Sequence, residues 1–273
     1  MGKFKIAVCQ LNSQTDKKEN LAEASRMIAE AAGNGAELVC FPENVSYMGR
    51  GYRDQGEPVP GETSECFADA ARTHDIWIVT GSFPETAEPR KPKNTTLLID
   101  PAGQVRGKYS KIHMFDMNLA GARPQLESAT VTAGDSIVTC ETELCQIGLA
   151  ICYDLRFGEL FRLMALAGAR MIVMPTSFTR KTGDMHWEPL VRARAIENGV
   201  YMIAPDQCGR KSNMLSHGHS MIVDPWGRVL AEAGGEDPEI LYAEIDPEES
   251  VRAQEQIGSL KNRREDLYHL TAE

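Results

Sequence analysis

One cysteine of this chain stands where an apolar strand pattern gives way to a polar turn. Cys152 closes a strand pattern that begins with the apolar run 148–151. Two other apolar segments stop at residues with acid–base chemistry: the run 38–42 stops at Glu43, and a predicted hairpin arm stops at Lys111. Because α/β folds bind ligands at the carboxyl ends of their strands, we expect these three side chains to converge. A thiol beside a carboxylate and an ammonium is an activated nucleophile.

The thiol of Cys152 needs such neighbours to react at neutral pH. A free thiol has a pKa of about 8.5, so only a few per cent of it is ionised. Lys111 could favour the thiolate, and Glu43 could accept the thiol proton. The alternative is a cysteine–histidine pair, which would need a histidine from a distant segment: His113, His186, His217 or His219. The glutamate and the lysine require only that strand ends meet.

Hydrophobic periodicity predicts the elements that position these residues. In the first half we expect strands at 6–10, 37–41 and 76–82, a hairpin with arms 95–100 and 105–111, and helices from Asp16 to 33–35 and near 64–74. In the second half we expect strands at 136–140, 146–152, 171–175, 200–205 and 239–245, a hairpin turning at 224–227, and helices at 157–168, 186–198 and after Pro247. Residues 114–133 are predicted to form a long loop. Helices with one apolar face and strands that are apolar on both faces favour an α/β fold of two related halves, with helices outside the sheets.

Composition narrows the class of protein. The chain has 273 residues, 42% hydrophobic and 25% charged, and we expect one domain over 1–273 with a charged tail at 261–273. A net charge of −10 without a basic stripe argues against a nucleic-acid partner. The longest apolar stretch, 163–169, is too short to span a membrane, and the N-terminal segment enters a strand pattern at once. Seven cysteines without a Cys-x-x-Cys pair favour a reducing compartment, so we predict a cytoplasmic protein without a zinc site.

Three segments together resemble the signatures of the nitrilase, or carbon–nitrogen hydrolase, superfamily. They are Phe41-Pro42-Glu43, Lys108-Tyr109-Ser110-Lys111-Ile112-His113-Met114-Phe115-Asp116 and Gly148-Leu149-Ala150-Ile151-Cys152-Tyr153-Asp154-Leu155-Arg156-Phe157. The resemblance extends over essentially the whole chain. It implies a four-layer α-β-β-α sandwich, a homodimer or a higher homo-oligomer, and hydrolysis of a carbon–nitrogen bond through a thioester, with no cofactor and no metal.

The resemblance also implies a role for each matching residue. Cys152 would attack the carbonyl carbon, and Glu43 would remove the thiol proton and later activate water. Lys111 would hold the developing oxyanion together with the backbone N–H of Tyr153. Glu127, in the segment 124–128, matches a second glutamate that would orient Lys111 and the attacking water. Singly, each of these residues could serve an ordinary structural purpose, but their joint order favours catalysis.

The residues after the cysteine resemble the amidase branch of the superfamily. Enzymes that act on true nitriles often have Trp and then Glu there, whereas this chain has Tyr153 and Asp154. Further segments, above all Cys208-Gly209-Arg210, resemble deaminated glutathione amidase more than ω-amidase. We therefore predict hydrolysis of the γ-amide of deaminated glutathione. The alternatives are an ω-amidase acting on α-ketoglutaramate, hydrolysis of N-carbamoyl or aliphatic amides or of nitriles, and a non-catalytic scaffold.

The predicted partner of such an amidase is a small-molecule amide that bears carboxylates. The predicted substrate-binding residues are Tyr153, Phe178, Thr179, Arg180, Glu188 and Arg210. The basic pairs Arg180-Lys181 and Arg210-Lys211 could attract carboxylates, and solvated surface charge is the equal alternative. His186-Trp187-Glu188 is expected to open a helix, with Trp187 in the core and Glu188 at the pocket.

Overall fold

A computed structural model describes residues 2–86, 91–118, 125–211 and 214–271. Its α-helices are α1 (Lys17–Gly33), α2 (Glu62–His74), α3 (Gly158–Leu166), α4 (Arg180–Asn198) and α5 (Pro247–Ile257). Its strands are β1 (Phe4–Gln10), β2 (Leu38–Cys40), β3 (Trp77–Glu85), β4 (Lys93–Ile99), β5 (Val105–Ser110), β6 (Asp116–Met117), β7 (Gln125–Leu126), β8 (Val138–Glu141), β9 (Gln146–Leu149), β10 (Met171–Val173), β11 (Tyr201–Ala204), β12 (Met221–Val223), β13 (Val229–Glu232) and β14 (Glu239–Ile245). Residues 119–124 of the predicted long loop and 272–273 of the predicted tail lie outside the described residues.

Two six-stranded sheets form the centre of the described part of the chain. Their strand orders are β14-β1-β2-β3-β4-β5 and β13-β12-β11-β10-β9-β8. In each sheet three neighbouring strands are parallel, namely β1, β2 and β3 in the first sheet and β9, β10 and β11 in the second. The outer strands pair antiparallel. This repetition agrees with the expectation of two related α/β halves.

Alternation along the strands separates the layers. In β1, Ile6 and Val8 point into the core between the two sheets, whereas Ala7 and Cys9 pack with the apolar faces of α1 and α2. On the second sheet, Gly148 lies so close to Met164 of α3 that an added Cβ would come within 2.8 Å of its sulfur. The helices therefore lie outside and the sheets face each other. The predicted four-layer α-β-β-α sandwich is confirmed.

The structure corrects three predicted elements around the site. Helix α4 begins at Arg180 rather than 186, because polar residues before His186 hide its apolar face and Pro189, which is typical of a helix start, lies inside it. The predicted strand 146–152 ends at Leu149, and Cys152 begins a 3-10 helix. The predicted loop 114–133 contains the short β6–β7 pair and a 3-10 turn at Glu127–Ala129.

Candidate active site

Three strand ends meet at one buried cluster. Glu43 follows β2, Lys111 follows β5, and Cys152 lies three residues beyond β9. The Lys111 Nζ atom lies 3.1 Å from Glu43 Oε1, and all three side chains are buried, with exposed fractions of 4% for Glu43, 2% for Lys111 and 7% for Cys152. Glu127 completes the cluster, since its Oε2 atom lies 2.9 Å from Lys111 Nζ. The structure thus brings together the four residues predicted to be catalytic.

Cys152 occupies an unusual backbone conformation. Its φ angle is +47°, in the left-handed region that costs a non-glycine residue of the order of 1 kcal/mol or more. The surrounding hydrogen bonds hold it there: Cys152 N–H donates to the Pro175 carbonyl at 2.9 Å, and Ile151 N–H donates to Asp154 Oδ2 at 2.8 Å. As the second residue of the 3-10 helix, Tyr153 has one of the N–H groups that a helix start leaves without a helical acceptor.

Asp154 ties the cysteine loop to the strand that carries the lysine. Its Oδ2 atom also accepts the Tyr109 hydroxyl at 2.6 Å, and its Oδ1 atom lies 2.8 Å from His113 Nδ1. The His113 N–H donates to Oδ1 at 3.3 Å. Tyr109 and His113 flank Lys111 in sequence, so one buried carboxylate fixes both segments. The sequence analysis gave Asp154 no role beyond its place in a motif.

Glu43 is held by both of its ends. Its N–H donates to the Thr176 carbonyl at 3.2 Å, and its own carbonyl accepts from Gln207 Nε2 at 2.9 Å. Its carboxylate accepts from Asn94 Nδ2 at 2.8 Å and from Lys111. Asn94 and Gln207 were not expected from the sequence, since each lies in an unrelated segment. Their contacts restrict the carboxylate to one position beside the thiol.

The pKa values of the cluster follow from burial and from its charges. Burial raises the pKa of Glu43, and the positive charge of Lys111 opposes this rise. Burial acts to lower the pKa of Lys111, but the carboxylates of Glu43 and Glu127 outweigh it and hold that pKa well above its ordinary value. The pKa of Cys152 is raised by burial and by the negative charge of Glu43, while Lys111 and the Ser177 backbone hydrogen bond lower it less. The cluster therefore holds a protonated thiol and an ammonium.

The backbone of the segment that follows Lys111 fixes the position of Glu127. Its Oε2 atom accepts the Phe115 N–H at 2.6 Å in addition to Lys111. The β6–β7 pair and the adjoining 3-10 turn present this carboxylate to the site. A loop of no regular structure, as predicted, would have left Glu127 free to move.

A cavity of about 380 Å³ opens above the cluster. Tyr153, Phe178 and Thr179 line it, as expected, together with Phe115. Met48, Leu126 and Met214 add apolar side chains to the lining. Its volume lies within the usual range of roughly 300–1,000 Å³ for small-molecule sites.

The other three predicted binding residues do not line this cavity, which corrects the expectation for each of them. Glu188 pairs with Arg192 at 2.9 Å on the exposed face of α4, because the neighbouring Trp187 occupies the buried face of the helix. Arg180 pairs with Glu236 at 3.0 Å. Arg210 is exposed, and the neighbouring Lys211 is buried rather than solvated.

Arg156 is a pocket residue that the sequence analysis missed. It lines the cavity, and its guanidinium carbon lies 5.7 Å from the Phe178 ring and 5.9 Å from the Tyr153 ring. Its Nη1 atom is 3.3 Å from His186 Nδ1. A guanidinium held between aromatic faces suits a carboxylate ligand. The sequence could have indicated Arg156 by its position, which is four residues after Cys152 in the same 3-10 helix.

The described residues show neither a metal-binding cluster nor a membrane-spanning helix. They contain no group of three or more His, Cys, Asp or Glu side chains arranged to hold a metal ion. None of the described helices is long and apolar enough to cross a membrane.

An α-β-β-α sandwich that gathers a thiol, a carboxylate and an ammonium at one cavity is equipped as a cysteine hydrolase. The family model described as carbon-nitrogen hydrolase matches residues 5–254. The chain is 39% identical to omega-amidase NIT2 of Mus musculus and 38% identical to that of Homo sapiens, with 98% of both chains covered in each case. The chain therefore belongs to the carbon–nitrogen hydrolase family and is an amidase.

Solved structures agree with this assignment. The Caenorhabditis elegans NitFhit protein superposes with a TM-score of 0.92 at 36% identity, covering 99% of this chain and 67% of that one. Saccharomyces cerevisiae Nit3, a member of branch 10 of the nitrilase superfamily, superposes with a TM-score of 0.86 at 33% identity, covering 96% of this chain and 97% of the yeast protein.

Proposed function

We propose that this amidase hydrolyses the terminal amide of a small acyl chain that ends in a carboxylate, through a thioester on Cys152. The observation that carries the proposal is the position of the buried Glu43–Lys111–Cys152 cluster in a cavity whose wall bears Arg156. Relatives named omega-amidase, 36–39% identical over nearly their full length, support the ω-amide as the target.

Acylation begins with a neutral thiol. Glu43 takes the proton from Cys152 as the sulfur attacks the amide carbon, and the carbonyl oxygen becomes an oxyanion. Lys111 Nζ and the Tyr153 N–H donate to that oxyanion. The carbon–nitrogen bond then breaks, the nitrogen takes the proton from Glu43 and leaves as ammonia or an amine, and the acyl group remains on sulfur.

Deacylation repeats these steps with water. Glu43 accepts a proton from the water as its oxygen attacks the thioester carbon, and the same donors hold the second oxyanion. The carbon–sulfur bond breaks, the acid leaves, and the proton on Glu43 returns to Cys152. In both halves Glu127 keeps the Lys111 ammonium in line through contacts of 2.9 and 3.1 Å.

The distal carboxylate of the substrate would bind Arg156. The aromatic rings of Tyr153 and Phe178 flank this guanidinium, which would select a substrate with a carboxylate at the end away from the amide. This arrangement replaces the predicted role of Arg180 and Arg210, which lie outside the cavity lining.

Two substrates fit the proposal. α-Ketoglutaramate is favoured by the omega-amidase relatives. Deaminated glutathione, predicted from the sequence, is the second candidate because a cavity of about 380 Å³ has room for a leaving group larger than ammonia. The Cys208-Gly209-Arg210 segment resembles the branch that acts on this compound, although Arg210 does not line the cavity. A single domain, a homodimer and a cytoplasmic location remain predictions.

Both substrates yield α-ketoglutarate, so one coupled assay of that product compares them. We expect turnover of at least one, with α-ketoglutaramate the better. Inertness toward both would remove the proposal. In Cys152→Ala we expect no turnover but an unchanged thermal unfolding midpoint, and turnover by this variant would refute the nucleophile.

Arg156→Met tests the carboxylate site separately. Because a charge-assisted contact is lost, we expect KM for α-ketoglutaramate to rise about tenfold to a hundredfold. The KM for an uncharged aliphatic amide should stay unchanged, and an equal rise for both amides would count against the role of Arg156.

A further inference from the structure

Lys211 is a buried lysine outside the substrate cavity. Only 5% of it is exposed, although it belongs to a basic pair that the sequence placed at the surface. Its Nζ atom donates to three uncharged oxygens: Asn12 Oδ1 at 2.7 Å, the Ser13 carbonyl at 3.0 Å and Gln207 Oε1 at 3.0 Å. An ammonium has three N–H donors, so this set uses all of them.

Gln207 connects this lysine to the candidate general base. The Gln207 amide accepts from Lys211 through Oε1 and donates through Nε2 to the Glu43 carbonyl at 2.9 Å. It also exchanges two hydrogen bonds with Ser13, and the Ser13 hydroxyl donates to the Val45 carbonyl at 3.1 Å. Through these bonds, residues beyond β1, β2 and β11 share one network around the backbone of Glu43.

We propose that Lys211 is a positioning residue, whose ammonium orients the Gln207 amide and thereby fixes Glu43 beside Cys152. The inference rests on the proposed function, in which Glu43 moves the proton. Without the ammonium, Gln207 Oε1 keeps the Ser13 N–H as a donor but loses the charged one, so the amide is held less firmly toward the Glu43 carbonyl. The carboxylate would then be displaced, and misplacement of a reacting group by about 1 Å can cost a hundredfold in rate.

Charge around Lys211 makes the network sensitive to pH. Burial lowers the pKa of Lys211 to about 8, and the nearby Cys208 and Asp206 on the same loop act weakly in the opposite sense. Asn12 and Ser13, which face it from the first sheet, carry no charge, and Glu43 meets the network through its backbone carbonyl. A neutral amine has two donors for three acceptors, so deprotonation removes one hydrogen bond. We therefore expect kcat to fall as the pH rises through about 8.

Asn12→Asp is the first test because it places a carboxylate next to the ammonium without changing its shape. The new charge raises the pKa of Lys211. The alkaline fall of kcat should move to higher pH by one unit or more, with kcat at pH 7 unchanged within about twofold. A fall that does not move would overturn the proposal.

Lys211→Gln is the second test, and Lys18→Gln, at an exposed lysine of α1, is the matched control. We expect kcat of the folded Lys211→Gln enzyme to drop about tenfold or more with KM within about threefold, and the alkaline fall near pH 8 to disappear. Loss of stability with wild-type kcat in the folded fraction would mean a structural role only. If this variant does not fold, the shift in Asn12→Asp still decides.

The rate at which iodoacetamide alkylates Cys152 gives a readout that needs no substrate. Because Glu43 assists loss of the thiol proton, alkylation near pH 7 should slow in Lys211→Gln and not in Lys18→Gln. A wild-type protein inert toward every amide would defeat the proposed function alone. Equal alkylation rates in all proteins would defeat the role of Lys211.

Discussion

Cys152 is a neutral thiol in the resting site. The sequence suggested that Lys111 would favour the thiolate, and Lys111 does act to lower the pKa of Cys152. Burial and the negative charge of Glu43 outweigh that effect and raise the pKa well above its ordinary value. Proton transfer must therefore accompany attack, which requires Glu43 to be both ionised and placed beside the thiol.

Glu43→Gln separates these two effects of the glutamate. The amide keeps an acceptor for Asn94 and Lys111 but cannot take a proton, so we expect kcat to fall by about 10²–10⁴. Removing the negative charge should also lower the pKa of Cys152, because that charge raises it. The pH midpoint of Cys152 alkylation, followed by peptide mass spectrometry, should then lie lower than in the wild type, whereas the rate near pH 7 should fall because no base assists loss of the proton. Glu65→Gln, at an exposed residue of α2, is the control, and an unchanged midpoint would contradict the charge assignment.

At the scale of elements, the buried Asp154 joins the 3-10 helix of Cys152 to the end of β5. One carboxylate accepts from the backbone of one segment and from Tyr109 and His113 of the other. The two partners of the proposed oxyanion, Lys111 and the Tyr153 N–H, lie on those same segments. The hydrogen bonds of Asp154 to both segments, which we call the Asp154 clamp, therefore set the distance between Lys111 and the Tyr153 N–H.

Asp154→Ala should damage stability and activity together. It leaves the Ile151 N–H, the Tyr109 hydroxyl and the His113 ring without their acceptor, and each buried donor costs about 1–3 kcal/mol. We expect urea titration to give a free energy of unfolding lower by about 3–5 kcal/mol, and kcat of the folded fraction to fall more than tenfold. Asp69→Ala, at an exposed position of α2, should change neither, and a fully stable Asp154→Ala would refute the clamp.

How well the sequence predicts the structure differs from one element to the next. Cys152, Glu43 and Lys111 were predicted because apolar strand patterns end beside them and because their segments resemble the motifs of one family. The β6–β7 pair was missed because its two-residue strands have no periodicity, and the start of α4 was misplaced because its first turn lacks an apolar stripe. The burial of Lys211 depends on Asn12 and Gln207, which only the folded chain brings together. Long-range polar contacts of this kind leave no local pattern.

At the scale of the whole molecule, the site exists only where the two sheets meet. Glu43 and Lys111 follow strands of the first sheet, while Cys152 and Gln207 follow strands of the second. The hydrogen bond from Glu43 N–H to the Thr176 carbonyl crosses between them. Any loss of the packing between the two sheets therefore separates Glu43 from Cys152. Activity should then decline in step with the folded fraction.

The stability of that global fold should depend on pH through His217. This histidine is buried behind α4, where its Nδ1 atom lies 3.3 Å from Asp184 Oδ1 and its ring lies 4.8 Å from that of His219. Burial, and then the charge of His219, lower the pKa of His217 to about 4, although Asp184 acts to raise it.

Between pH 6.5 and 4 the unfolded chain therefore binds a proton at His217 that the folded chain does not bind, so the free energy of unfolding must decrease as the pH falls through this window. This contribution of His217 to the free energy of unfolding is fully present above pH 6.5 and amounts to about 3 kcal/mol. Urea titrations at steps from pH 7.5 to 4 should show a shallower pH dependence in His217→Gln than in the wild type, by about this amount. His269→Gln, at an exposed residue of the tail, is the matched control. The wild type and His217→Gln differ in no other titrating group. Equal slopes in these two proteins would therefore mean that His217 is charged in the folded state.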